Sequence, residues 1–559
     1  MVGQKSRDTA AFAGVALLAV AAPFEATRPL LRLPSQSVSN LEAAIVFACL
    51  LGAAAVLARG LLLASSTPIA APWLVFLAVC TIAALRSPVS RINALHMTGR
   101  FSAAFAVCLI TLGAATTRAR VRAIARLLVG TGVVVAVLAI LEYLNVNAVL
   151  ELLTAFRPGI TTVGAQLRAG GPLQYPTIAS MYLEIVFAIG VGLLVGAIAA
   201  GERRNAALLI GSLLLVSEAI ILTFTRAGLI SVAATIAIAA FVGYRRSGLD
   251  RSVTTLAGLG IAIIVLFVAS RSSDSLWLRM TSEGQESWYR ARIDAPSHVS
   301  LTADGVERIA LKATNTGRLT WDSAAQPPFF FSYHWLSVTG DRVVAFEGAR
   351  TPFESPVQPG DTVSIDAYLR APAQPGSYRL VWDIVQEGRL WFSTEPGASS
   401  TLSTADISGG AAPSQLLTTP LPKPTVRPGR LQLWGAAIAI VRAHPLVGIG
   451  PDNFRLAYGT YAGIATPDLR THSNNMYLEV ATGAGLAGAA AFAWLLWSVG
   501  QTVDAANVGA ICALTAIALH GFVDSFVSFA PTYVLFAVTL GLACARPRET
   551  ENVPHADRV

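Results

Sequence analysis

Charge is scarce in this sequence. Only 13% of its 559 residues are Asp, Glu, Lys or Arg, about half the ~25% usual in a soluble globular chain. Cysteine is scarce too. The five residues Cys49, Cys80, Cys108, Cys512 and Cys544 all lie in or beside apolar runs. They read as small buried hydrophobes, and their spacing implies neither a metal centre nor a disulfide framework. No cofactor, metal or nucleic-acid partner is expected. What the chain has is apolar length. It is 54% hydrophobic, and runs of about 17–25 residues, each enough to cross a ~30 Å hydrocarbon core, recur along it.

The expected fold class is an all-α polytopic membrane protein with an inserted β-sandwich. Twelve spans are predicted, at about 9–25, 41–58, 69–85, 99–116, 122–143, 177–200, 206–224, 227–243, 252–270, 475–498, 506–526 and 530–545. Basic residues set their orientation. Lys5 and Arg7, the trio Arg118, Arg120 and Arg122, the pair Arg203 and Arg204, the trio Arg245, Arg246 and Arg251, and finally Arg546 and Arg548 fall on one side if both termini are cytoplasmic. Arg28, Arg32, Arg86, Arg91 and Arg100 are exceptions. The expected location is the inner (plasma) membrane, crossed many times. The expected domains are a bundle over 1–270, an extracytoplasmic insert over 271–429, an outer-face loop with an interfacial helix over 430–474, and a second bundle over 475–559.

Within the insert, residues 285–400 change to short alternating runs such as "TVSIDAYLR" and "YRLVWDIV", separated by turn signals such as "QPGD". That spacing predicts a sandwich of short strands. Trp321, Trp335, Trp382 and Trp391 give it a pattern that resembles a four-tryptophan immunoglobulin-like domain. They fill its core or form a sugar-stacking platform. His298 and His334 read as structural or solvated.

Four polar groups fall on the outward side. "LTFTRAGLI" places Arg226 in a tight turn between two spans. It is a snorkelling anchor or a fixed guanidinium for a membrane-embedded anion, whose phosphate oxygens its planar fork would suit. "QLRAGGPLQYPTIAS" sets Arg168 before Gly170 and Gly171. "RLQLWGAAIAIVRAHPLVGIGPDNF" opens a short amphipathic helix with Arg430 and Trp434 on one face, and His444 reads as its end. "RTHSNNMYLEVATGAGLAG" sets Arg470, His472, Asn474 and Asn475 at the start of a span. An imidazole there could take a proton near neutral pH.

Together these blocks resemble the O-antigen ligase and polymerase superfamily, in order and over about 160–490. The four segments resemble that family's Arg–Gly…Pro, Thr–x–Ser–Arg–x–x–Leu, Arg…Trp…Pro–x–x–Gly–x–Gly and His–Asn–x–Tyr–Leu…Gly–x–x–Gly blocks. The resemblance implies a metal-independent glycosyltransferase. Its donor would be a glycan on a polyprenyl diphosphate, and its acceptor a hydroxyl of a glycan or lipid-linked glycan, such as the lipopolysaccharide core, among membrane lipids. It implies diphosphate binding by Arg168, Arg226, Arg430 and Arg470. One departure stands out: aligning "GLAG" puts Asn474 where the family's histidine falls, two positions after His472. His472 is expected to act as the base, with Asn474 orienting it, because residues two apart in an extended lead-in point the same way. Alternatives are a repeat-unit polymerase, a transporter of the same lipid using Glu184, Glu218, His520 and Asp524, and a non-catalytic glycan-binding scaffold.

Overall fold

A computed structural model describes residues 2–33, 36–63, 65–157, 159, 161–163, 166–270, 288–325, 328–338, 342–387, 390–395, 401–409, 419–420, 428–464, 467–504 and 507–548. Every predicted apolar run is helical. Before the insert come α1 (Val2–Ala21), α2 (Asn40–Ala58), α3 (Ala70–Leu85), α4 (Arg91–Ala114), α5 (Arg118–Tyr143), the short α6 (Asn147–Leu153), α7 (Pro176–Ala199), α8 (Arg203–Leu222), α9 (Arg226–Ser247) and α10 (Arg251–Ala269). After it come α11 (Arg430–Ala443), α12 (Phe454–Ala462), α13 (Met476–Thr502), α14 (Val508–His520) and α15 (Ala530–Cys544). Among the described residues, eight helices are long and apolar enough to cross a membrane: α2, α4, α5, α7, α8, α9, α10 and α13. The helices α3, α14 and α15 are apolar but shorter. The predicted run 506–526 is cut short, because α14 ends at His520 and a turn follows.

Small residues let these helices approach closely, as packing in lipid demands. A Cβ on Gly192 of α7 would lie 2.6 Å from Cα of Gly509 in α14. The faces of α2 and α10 turned away from the bundle expose Phe47, Leu50, Ile261 and Val265, as a lipid-facing surface requires. Two small hairpins close loops at the ends of the bundle: β1 (Leu31–Leu33) with β2 (Gln36–Val38), and β3 (Thr161–Val163) with β4 (Gln166–Arg168).

The inserted region is β-rich. Its strands are β5 (Ala291–Asp294), β6 (His298–Thr302), β7 (Val306–Asn315), β8 (Phe329–Ser337), β9 (Arg342–Ala345), β10 (Thr351–Pro352), β11 (Thr362–Arg370), β12 (Gly376–Gln386), β13 (Leu390–Trp391), β14 (Thr401–Ser408) and β15 (Thr419–Pro420). One sheet runs β15-β9-β8-β12-β14-β6, with β10 on β8 and β13 on β12, and a second runs β11-β7-β5. Burial alternates along β11, where Ile365, Ala367 and Leu369 point inward, the period a half-buried strand shows. Both sheets contribute to one core. Trp321, Trp335 and Trp382 belong to that core, while Trp391, also buried, packs outside it against His334 and Phe346 with Arg350 over its ring. Two of them satisfy their indole N–H there: Trp335 donates to the Arg370 carbonyl at 2.9 Å and Trp382 to Ser403 Oγ at 2.8 Å. His334 is buried against Asp383 at 3.0 Å, and exposed His298 lies 3.0 Å from Thr404 Oγ1. Both histidines are structural or solvated, as expected.

Candidate active site

The first arginine group is built around a buried carboxylate. Glu142, in the last turn of α5, is fully buried. Its Oε2 accepts from the amides of Gly170 at 3.0 Å and Gly171 at 2.8 Å. Its Oε1 pairs with buried Arg157. Gly171 has φ +55°, a conformation that glycine takes at little cost. This anchor fixes the segment that follows β4. Arg168, the last residue of β4, donates from Nε to the Thr223 carbonyl at 2.9 Å and from Nη2 to Thr225 Oγ1 at 3.3 Å. Thr225 is the N-cap of α9 and Arg226 its first residue. Arg168 and Arg226 therefore share one corner. Arg226 is half-buried, and its guanidinium forms no hydrogen bond or ion pair with the described residues.

The second group lies on α11. Leu433, Ala436, Ala437 and Ile440 pack down onto Ile449, Phe454 and Tyr458. The opposite end carries Arg430, whose Nε is buried without a partner, as is Nε1 of Trp434 one turn on. His444 is the C-cap of this helix.

Beyond it, residues 445–450 are laced into a break in α13. Gly485 there has φ +67° and ψ −170°, outside the helical region. The amides of Ile449 and Gly450 donate to Thr482 and Gly483, both at 2.9 Å. Those of Leu486 and Ala487 donate to Pro445 at 2.8 Å and Leu446 at 3.2 Å. The loop thus satisfies the backbone groups that the break frees, as the interior of a membrane protein requires. Asn453 then ties the loop to the α3–α4 turn, donating to Ser87 Oγ at 2.8 Å and to the Ser90 carbonyl at 3.0 Å.

The histidine stands where this loop meets α13. His472 Nδ1 lies 3.4 Å from Glu479 Oε1 and 3.8 Å from Asp452 Oδ1. Its ring packs edge-on against Phe529, with centroids 5.5 Å apart. Glu479 is itself held: its Oε2 accepts from the Ser473 amide at 2.9 Å and from Ser473 Oγ at 2.7 Å. Asp452 is held by Arg455 at 2.9 Å. Burial alone would discharge the imidazole, but the Glu479 carboxylate, with Asp452 and Asp524 beyond it, outweighs burial and lifts the His472 pKa above its ordinary value. With Nδ1 turned to carboxylates, Nε2 makes no hydrogen bond to the described residues. One face of the imidazole is oriented and the other is left to act.

The lead-in from His472 to Asn474 is not the extended chain that the sequence suggested. The φ of Asn474 is +50°, so the chain turns there and the alternation of side chains is broken. Asn475 caps α13, its Oδ1 accepting from the Leu478 amide at 2.9 Å. Arg470 is exposed and its guanidinium is occupied by Asp468 at 3.0 Å. Tyr175, at the head of α7, packs on the same Phe529 as His472, with centroids 6.5 Å apart. It lies within electrostatic reach of Arg470.

No hydrogen bond or ion pair joins Arg226, Arg430 and His472 among the described residues. Arg226 has no such link to the other two, whereas Arg430 and His472 are related only electrostatically, through a buried pair and Asp524. His520 Nδ1 lies 2.9 Å from Glu184 Oε1, both side chains being at most 1% exposed. Arg430 and Asp524 are both within electrostatic reach of His520, and Asp524 also of His472. The void beside Asp452 and Glu479 holds only about 10 Å³, about one water. Asp452, His472 and Glu479 each offer a ligand atom within 4.8 Å of the others and could hold a cation. Glu479 is the residue that sequence reasoning missed. Its signal was a carboxylate inside an apolar run, seven positions after the histidine.

Residues 412–493 match the family model described as O-antigen ligase. The match spans α11, the laced loop, His472 and Glu479. Over that segment the chain is similar to the O-antigen ligase family. Among curated proteins no relative matches. The matched stretch carries Arg430, the laced loop and the His472–Glu479 pair.

Proposed function

We propose that the protein is an O-antigen ligase-like glycosyltransferase at the outer face of the inner membrane. In this reading it moves a glycan from a polyprenyl diphosphate to an acceptor hydroxyl. The observation that carries the reading is the His472–Glu479 pair inside the matched segment.

His472 Nε2 takes the proton of the acceptor hydroxyl as its oxygen attacks the anomeric carbon. The bond from that carbon to the diphosphate oxygen breaks, and the polyprenyl diphosphate leaves with the electron pair. Glu479 at Nδ1 fixes the tautomer and stabilises the imidazolium that forms. Arg226 and Arg430 receive the charge that builds on the diphosphate, in a setting where low dielectric strengthens the effect. Both have guanidinium hydrogen-bonding capacity left over. Arg168 spends two of its donors on Thr223 and Thr225. It acts as the brace of the Arg226 corner, and Arg470 contributes long-range charge only. The chemistry requires no metal ion. Twelve crossing helices, cytoplasmic termini and an outward-facing β-insert of immunoglobulin-like type complete the proposed arrangement.

The test uses purified protein with a lipid-linked glycan and a hydroxyl-bearing acceptor. Transfer by the wild type and none by His472→Ala supports the reading. Movement of the lipid across a bilayer without transfer would support a transporter instead, and undiminished transfer by His472→Ala removes the assigned base.

A further inference from the structure

A largely apolar cavity lies apart from these residues, at the arginine-rich end of the bundle. It encloses about 570 Å³ between α5, α7, α8, α14 and α15, within the range of ligand sites. The walls come from the far half of α7, from Ile189 on, and from the start of α14 at Val508. Glu184 and His520, by contrast, sit toward the other ends of those two helices.

Two observations point to an occupant with an anionic head and an apolar body. The rim carries Arg122, Arg126 and Arg246 against a single carboxylate, Glu202, and Glu202 already accepts from Asn205 at 2.7 Å. Neither Arg122 nor Arg126 forms a hydrogen bond or ion pair with the described residues. Inside, Thr539 is 1% exposed and lines the cavity. Its hydroxyl has no hydrogen-bond partner, which is costly for a buried polar group. Gly196 faces the open space, since a Cβ there would meet nothing within 4 Å.

We infer that this cavity binds an anionic phospholipid. The phosphate would lie among Arg122, Arg126 and Arg246, an acyl chain along the apolar walls, and an ester oxygen within reach of Thr539. Basic pockets between membrane helices recognise phosphate head groups in this way. The site is independent of the transfer reaction proposed above.

Native mass spectrometry of the full-length protein in detergent tests it, using phosphatidylglycerol and phosphatidylcholine with identical acyl chains. One phosphatidylglycerol per chain should be retained at roughly a tenfold lower concentration than phosphatidylcholine, the size of effect that one or two surface arginines give. The double substitution Arg122→Ala/Arg126→Ala should erase that preference. Gly196→Leu, which fills the cavity, should weaken retention of both lipids. Melting temperatures in detergent confirm that each variant is folded, and Arg28→Ala/Arg32→Ala serves as a charge-matched control that keeps the preference. Equal retention of the two lipids, or a preference that survives the double substitution, overturns the inference. Displacement of phosphatidylglycerol by millimolar inorganic phosphate would overturn it in favour of a soluble anion.

Discussion

His472 and Glu479 face each other at 3.4 Å across the junction of a loop and a helix, and Ser473 clamps the carboxylate from behind with two hydrogen bonds. The arrangement orients a base. His472→Ala should lower transfer by ~10²–10⁴-fold, the usual worth of positioned proton transfer. Glu479→Gln should lower it by about 10–100-fold, as loss of an orienting partner does. Membrane insertion should be unchanged in both. Equal rates for wild type and Glu479→Gln would show that the carboxylate orients nothing.

The pH profile follows from the same pair. The His472 pKa is raised in the folded protein, and a base must be neutral to act. Transfer should therefore climb as pH rises through a value above the ordinary ~6.5, and Glu479→Gln should move the climb to lower pH. The stabilising contribution has the opposite sense. It is complete below the unfolded-state value and is lost as pH rises through the folded one. A profile that falls across this range would assign His472 a cationic role.

Arg226 and Arg470 separate binding from bystander charge. Arg226→Ala should cost transfer at least ~100-fold, since two charge-assisted hydrogen bonds are worth about 3 kcal/mol or more. Arg470→Ala, which removes an exposed pair with Asp468, should stay within about fivefold of wild type. Initial rates with a lipid-linked donor decide the matter, and the reverse ranking would move the diphosphate to the loop.

Glu142 is a structural prediction. Glu142→Ala strips Arg157 of its partner and orphans the amides of Gly170 and Gly171. Breaking a buried pair from one side costs about 3–5 kcal/mol, so the melting temperature in detergent should fall markedly. An unchanged melting temperature would mean that the segment before α7 is held by other contacts.

Metal removal and addition should act in opposite ways. Chelation by EDTA should leave transfer unchanged. Added Zn²⁺ should inhibit, because Asp452, His472 and Glu479 offer it three ligand atoms of the kinds it prefers. Loss of activity on chelation would instead make that triad a resident metal site.

The helices were legible because their signal is repeated many times over: an apolar run long enough to cross a bilayer leaves the chain few other structures. Alternating runs and turn signals marked the β-rich insert, but they left open whether its tryptophans were core or platform, because strands buried on both faces, such as Phe329–Ser337, carry no alternation to read. Harder features depend on partners distant in sequence. Nothing local marks Arg168 as the partner of Thr223, or Glu142 as the cap of Gly170 and Gly171. The glycines of "ATGAGLAG" could be read as close-packing positions, but a helix interruption at Gly485 depends on a loop 35–40 residues earlier. Asn474 misled for a conformational reason, since its left-handed backbone defeats a rule that assumes extended chain.

That interruption has a dynamic consequence. The stretch 445–450 has little regular structure of its own, yet its Ile449 and Gly450 amides donate to the first half of α13 and its Pro445 and Leu446 carbonyls accept from the second, so the amides of Ile449, Gly450, Leu486 and Ala487 should resist deuterium exchange as the bundle core does. A floor pinned on both sides cannot swing aside for a bulky saccharide. Admission then falls to neighbouring segments that are less tightly stitched, such as the stretch carrying exposed Arg470. The fixed floor keeps the imidazole in register while they move.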